Sequence, residues 1–395
     1  MNVKTTSLLS MKRVIAMLLV LAATITGFTA CDTPGNEPGE TLPNTDTEAI
    51  TEGKKEPEKV LITEPITYNL RTKMDGVKIL GERHLESETM IPCDWTGSGF
   101  EVDVDHHGGD IVFTASATAD CLFRAYVDGE EWGGSKYAAD PELFHVTKSL
   151  TTLTLKDVPA GERRIKLIKV TGYTIARAQV HDMSFCGTIS QYAPEPNELY
   201  IEFVGDSICC AWGTIGGHSG TYTDQDGTLA YPLLIADRLE ADYSVTALSG
   251  QGLLCGNPGM TEGYLYASAL RNKNQQFAFT RKADYVVINI GTNDYSLRNQ
   301  HNIDKAKFKA AYLAFLKTVA EKNGSDCMIY CLYNTMNDTF KDAILEAVAE
   351  FGGEAKNVYT YKMTKAASGH PTIEENQKYT EDLLKLMGLS GPSHK

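Results

Sequence analysis

The sequence predicts an α/β protein: a three-layer domain built on a parallel sheet, preceded by an all-β sandwich of the jelly-roll kind. Three observations predict it. Between residues 60 and 190, short alternating or β-branched runs follow one another with no long helical period between them. After Pro194, strand-like and helix-like segments alternate, the pattern of a parallel sheet with helices on both faces. Ahead of both lies a stretch too polar to bury a core of its own.

With 395 residues, 42% hydrophobic and 22% charged, the chain is long enough for two globular domains. Residues 1–30 stand apart from them. Lys12 and Arg13 precede the apolar run VIAMLLVLAATITGFTA, and Cys31 follows at once. This reads as an export signal, with Thr29 and Ala30 as the small residues before the cut. The pattern is similar to a lipobox, departing from it at Phe28, where Leu is usual. The expectation is therefore a lipoprotein signal peptide over residues 1–30, lipidation of Cys31, and an exported chain held at the cell-surface membrane. A plain secretory peptide or an uncleaved anchor is the alternative. Residues 31–59, including DTPGNEPGETLPNTDTEAITEGKKEPE, read as a flexible, solvated linker.

The formal charge is −14, and residues 1–30 contribute only Lys4, Lys12 and Arg13, so the chain without them carries −17. Such a surface repels phosphate backbones, which excludes nucleic acid as a partner. The nine cysteines show neither a dense disulfide pattern nor a paired metal motif. They read as buried thiols. No metal site is expected: His106-His107 and the isolated His84, His145 and His181 have no partner at ligand spacing.

In the sandwich, assigned to residues 60–190, FEVDVDH, DIVFTASA, CLFRAYVDG, SLTTLTLKDV and RRIKLIKVTG read as strands, with turns at Asp128-Gly129 and Pro159-Ala160-Gly161. In the second domain, assigned to residues 197–390, five strands are expected: LYIEFVG, YSVTALSG, ADYVVINIG, CMIYCLY and NVYTYKM. Between them, Phe308, Tyr312, Phe315, Leu316 and Val319 form one helical stripe, and Phe340, Ile344, Leu345, Val348 and Phe351 another.

All strands of a parallel sheet end on one edge, and the loops leaving that edge build the site. Ser207 follows the first strand, Gly250 the second, Asn293 the third and His370 the last. A serine nucleophile needs a base for its proton and donors for the oxyanion formed when it attacks a carbonyl. His370 suits the first role; the Ser207 and Gly250 N–H groups and the Asn293 amide suit the second. Glycine at 250 leaves room for the backbone to approach the reacting carbonyl. Two Gly-rich stretches carry no nucleotide: GTIGGHSG lacks the Gly-Lys-Ser/Thr ending of a phosphate loop, and GQGLLCG has the wrong spacing for a dinucleotide fingerprint.

The blocks GDS, SGQG, GTND and GHP resemble those of the SGNH (GDSL-type) hydrolases. Together with FVGDSICCAWG, ADYSVTALSGQGL, VVINIGTNDYS and the preceding sandwich, they resemble the deacetylases of carbohydrate esterase family two over roughly residues 60–388. The resemblance implies a jelly roll before an SGNH domain and a serine esterase that removes acetyl groups from plant polysaccharides such as xylan or mannan. It makes Ser207 the nucleophile, His370 the base, and Ser207, Gly250 and Asn293 the oxyanion hole, with no cofactor. One departure stands out. Most SGNH enzymes have Asp three residues before the histidine, and this chain has Ala367. Some members of the esterase family work with a Ser-His dyad, which fits that gap, although an acid from elsewhere could fill it. Trp212 and Tyr295 flank the motifs and are candidate sugar-stacking residues, with core packing as the alternative. The segment from Gly252 to Arg281 is expected at the rim of the site. Two other readings stay open: the same chemistry on another ester, such as acetylated peptidoglycan or a lipid, and a surface carbohydrate-binding protein without turnover.

Overall fold

The computed structural model describes residues 61–133, 143–216, 220–268, 275–338 and 340–389. The expected signal peptide, Cys31 and linker lie outside the described residues. Residues Lys59–Lys395 form one compact unit in which both halves of the fold share an interface.

The first half holds β1 (Ile66–Asn69), β2 (Val77–Leu80), β3 (Ile91–Cys93), β4 (Gly99–His106), β5 (Gly109–Ala117), β6 (Cys121–Val127), β7 (Glu130–Glu131), β8 (Leu143–Val146), β9 (Thr151–Val158), β10 (Gly161–Lys169), β11 (Ala178–Phe185) and β12 (Gly187–Ile189). They make two antiparallel sheets, one ordered β1-β11-β5-β9 with β3 beside β11, the other β12-β4-β10-β6-β7 with β2 on β4 and β8 on β6. Period-two alternation decides which faces meet. Phe100, Val102, Ile165 and Leu167 point inward from the second sheet onto Ile111, Phe113, Leu153 and Leu155 of the first. Phe100 meets Phe113 edge-on at 6.0 Å between centroids.

Strand β11, central to the first sheet, is absent from the sequence reading. Its register on β5 shifts between Val180 and Asp182, and that bulge breaks the alternation which reveals the other long strands.

The second half holds the five expected strands, all parallel: β13 (Tyr200–Gly205), β14 (Asp242–Ala247), β15 (Tyr285–Asn289), β16 (Met328–Tyr333) and β17 (Val358–Lys362), in the order β14-β13-β15-β16-β17. Among the described residues, four helices have eight residues or more: α1 (Tyr231–Arg238), α2 (Lys305–Asn323), α3 (Lys341–Phe351) and α4 (Ile373–Met387). Helices α2 and α3 cover one face through Phe308, Phe315, Ile344 and Val348. Helices α1 and α4 cover the other through Tyr231, Ile235, Tyr379 and Leu383. The expected stripe on α2 is buried as read. On α3 the buried face is Ala343, Ile344, Ala347 and Val348, and Leu345 is only half-buried, because one residue step turns it about 100° from Ile344.

Buried ion pairs tie the halves together. Arg83 bonds Glu202 on β13, with Nε 3.1 Å from Oε1, and its guanidinium lies over the rings of Tyr264, Phe277 and Phe279. Arg124 on β6 bonds Asp226. Removing one member of such a pair would leave an uncompensated charge, at a cost of about 3–5 kcal/mol.

Candidate active site

The sheet order places β13 between β14 and β15, so the chain leaves β13 to one side and returns on the other. The carboxyl ends of β13 and β15 flank this switch point, where open α/β sheets leave a crevice. Ser207 follows β13 and Asn293 follows β15.

Directly after β13 the backbone turns back on itself. The Asp206 carbonyl accepts the N–H groups of Cys209 and Cys210 at 3.2 and 3.3 Å, and the Ser207 carbonyl accepts that of Trp212 at 3.0 Å. A Cβ at Gly205 would lie 2.2 Å from the Cys209 sulfur and 2.8 Å from the Asn289 carbonyl, so the strand can turn so tightly only at glycine. The turn presents Ser207 with 5% of its surface exposed.

His370 arrives from the loop between β17 and α4, its Nε2 2.8 Å from Ser207 Oγ. With the imidazole neutral and its proton on Nδ1, the hydroxyl donates to Nε2. The loop is held by Glu375, whose carboxylate accepts the N–H of Ala367 at 2.8 Å and that of Thr372 at 2.9 Å. Thr372 completes a capping box by accepting the Glu375 N–H. One carboxylate thus fixes the chain on both sides of His370. Asn376, fully buried, adds a bond from its amide to the Pro371 carbonyl.

The third element is the turn after β14. Gly250 has φ +79°, and a Cβ there would meet nothing within 4 Å. The space beside Gly250 is open, and its left-handed backbone is a second reason for glycine there. Neither the Gly250 N–H nor the Ser207 N–H donates to another group among the described residues. Asn293 donates through Nδ2 to the Gln251 carbonyl at 2.8 Å and stands 3.4 Å from Asp206 Oδ2. The first bond fixes the amide plane; the second is long and weak, so the other amide hydrogen is left available to an oxyanion.

Two carboxyl groups under this site escaped the sequence reading. Asp294 is wholly buried, and its oxygens accept the N–H groups of Leu253 and Leu254 at 2.7 and 2.8 Å. Burial raises its pKa against the pull of those two N–H groups. Asp206, equally buried, accepts the Ile208 N–H at 3.1 Å. Burial pushes it up to about 7, the Ile208 bond opposes this, and the nearby Asp294 charge adds to it. Both sit within the GDS and GTND blocks, but nothing in a lone Asp signals what it holds.

The two aromatic candidates part company. Trp212 is half-buried with its ring centroid 6.3 Å from that of His370. Tyr295 packs edge-on against Phe340 at 5.4 Å and under the Arg298 guanidinium at 4.2 Å. The segment after Gly252 is more interior than a rim, since Leu253, Cys255, Met260 and Tyr264 are core residues. Among the described residues the eight cysteines are free thiols, seven of them buried, and no group of three His, Cys, Asp or Glu is placed to hold a metal.

A turn-borne serine on an imidazole, beside unused N–H groups and a fixed amide, is the equipment of acyl transfer. Residues 201–381 match the family of GDSL-like lipases/acylhydrolases. This segment is a GDSL-like lipase/acylhydrolase domain. The acylhydrolase domain and its sandwich together align with known proteins. The cellulase/esterase CelE of Acetivibrio thermocellus is 28% identical over 311 residues, 74% of this chain and 36% of that protein. The chain thus spans about a third of the length of the curated relative it matches. A family two carbohydrate esterase from Clostridium thermocellum, solved with cellohexaose, superposes with a TM-score of 0.69 at 25% identity, covering 79% of this chain and 99% of the other. An acetyl xylan esterase from Butyrivibrio proteoclasticus gives the same TM-score at 17% identity over 82% of this chain and 99% of its own, a likeness of fold.

Proposed function

We propose that this chain is a serine esterase that removes O-acetyl groups from plant cell-wall polysaccharide of the xylan or mannan type. The observation that carries the reading is the 2.8 Å contact between Ser207 Oγ and His370 Nε2. The esterase relatives support the substrate class.

In the proposed reaction Ser207 Oγ attacks the acetyl carbonyl while His370 Nε2 takes its proton. The two N–H groups and the Asn293 amide receive the oxyanion. Collapse breaks the bond to the sugar oxygen, which leaves with the proton from His370 and with Ser207 acetylated. Water, deprotonated by His370, then releases acetate and restores the serine. Ala367 stands where most SGNH enzymes have Asp, so that position supplies no carboxylate to His370.

The test is acetate release from 4-nitrophenyl acetate and acetylated xylan. Release that disappears in a folded Ser207→Ala variant supports the reading; no release from either substrate by the folded wild-type chain overturns it and favours a binding protein. Two structural readings accompany it. The sandwich is taken as a jelly roll because β8, β9, β10 and β11 alternate between its sheets. Export and lipid attachment at Cys31 are proposed from the sequence, and palmitate labelling that persists in Cys31→Ala would refute the attachment.

A further inference from the structure

A groove of about 870 Å³ runs between the outer face of the seven-stranded sheet and helix α1, lined by residues of neither the GDS, SGQG, GTND nor GHP block. That volume lies in the range of small-molecule sites, about 300–1,000 Å³. Its floor follows from register. Lys166 on β10 pairs with Glu101 on β4 to one side and Tyr126 on β6 to the other. Lys78 and Glu131 extend the row across five strands. The opposite wall is the exposed side of α1, with Leu234 and Asp237.

The ends of this row are occupied: Lys78 binds Asp242 at 2.8 Å, and Glu131 binds Arg124. Its middle is open. Glu101, Lys166 and Tyr126 are all half-buried, yet among the described residues neither the Glu101 carboxylate nor the Tyr126 hydroxyl has a hydrogen-bond partner. Among the described residues the Lys166 ammonium meets only the Tyr126 ring, 4.3 Å from its centroid. Half-buried polar groups aimed into a cavity are positioned for a ligand's groups or for water.

We infer that this groove is a second, non-catalytic binding site for a neutral glycan chain. An acceptor, a cationic donor and a phenol stand side by side on neighbouring strands, spaced as strands are, about 4.8 Å apart. Adjacent sugar hydroxyls can both donate to Glu101 and accept from Lys166. An anionic ligand is disfavoured, because Glu101, Glu130, Asp237 and Glu240 outnumber Lys166, the lining ammonium that has no ion pair among the described residues. The inference concerns binding and stands whether or not Ser207 turns over an ester.

Isothermal titration of the full chain with unsubstituted xylohexaose, cellohexaose and mannohexaose tests it, using wild type, Glu101→Gln, Lys166→Ala and Trp212→Ala. Binding of at least one hexasaccharide should weaken about tenfold or more in Glu101→Gln and Lys166→Ala, the cost of one charge-assisted hydrogen bond. It should persist in Trp212→Ala, and the two groove variants should keep wild-type melting temperature and wild-type 4-nitrophenyl acetate turnover. Should Lys166→Ala fail to fold, Tyr126→Phe removes only the hydroxyl and should weaken the same binding. Affinity untouched by every folded groove variant, or lost entirely in Trp212→Ala, would overturn the inference. So would a lysine-rich peptide that binds through Glu101 while no hexasaccharide does.

Discussion

The Asp294 carboxylate accepts the Leu253 N–H at 2.7 Å and so fastens the segment after Gly250 to the helical turn that carries Asn293. Two donors proposed for one oxyanion are thereby held at a fixed separation by a residue that touches neither substrate nor nucleophile. A Cβ at Gly252 would lie 2.4 Å from the same carboxylate, so the fit leaves no slack.

Asp294→Asn keeps the volume but turns one acceptor into a donor facing an N–H. Displacing an oxyanion donor is worth up to about 10²–10³ in kcat. We expect kcat on 4-nitrophenyl acetate to fall about ten- to hundredfold with KM nearly unchanged, the split that marks an interaction made in the transition state. A rise in KM at constant kcat would show that Asp294 acts elsewhere.

Asp206 gives a prediction about pH. Its folded pKa, pushed to about 7 by burial, lies above the unfolded value of about 3.9. The folded state therefore binds the proton more tightly, and the resulting stabilisation is fully present below about pH 4 and is lost as pH rises through about 7. The difference in unfolding free energy between wild type and Asp206→Asn should shift against wild type by a few kcal/mol, roughly, across that window. Denaturant melts at pH 4, 5.5 and 7 measure it, and a constant difference would refute the shift.

The five parallel strands were legible because each is a short apolar run bounded by turn or helix signals, and their common direction then put Ser207, Gly250, Asn293 and His370 on one edge. Strand β11 was not, because its bulge interrupts the period. Asp206 and Asp294 were not, because the role of each depends on burial, and that of Asp294 also on bonds to the N–H groups of Leu253 and Leu254, forty residues away. Glu375 falls between. The Thr372-x-x-Glu375 capping box is visible in the chain, whereas its second bond, to Ala367, needs the folded loop.

That second bond makes Glu375 a positioning residue for His370. Glu375→Ala should lower kcat about tenfold or more by releasing the loop, since small misplacements of a base cost heavily. It should also cost about 0.5–2 kcal/mol through loss of the cap. Glu375→Gln, which keeps one acceptor, should recover part of both. A variant as active as wild type yet less stable would reduce Glu375 to a helix cap.

Trp212 and Tyr295 offer the sharpest separation of site from core. Trp212 lies half-buried beside His370, whereas Tyr295 spends its ring on Phe340 and Arg298. Stacking on a sugar face affects binding of the carbohydrate rather than attack on its acetyl group. Trp212→Ala should therefore raise KM for acetylated xylo-oligosaccharides about tenfold and leave 4-nitrophenyl acetate turnover within about threefold. Tyr295→Ala should do the opposite in kind, costing about 1–3 kcal/mol of stability through lost packing with KM for the oligosaccharide unchanged. If Tyr295→Ala raises that KM while the protein melts as wild type, the ring reaches substrate after all, and the cleft extends past Asn293 towards Phe340.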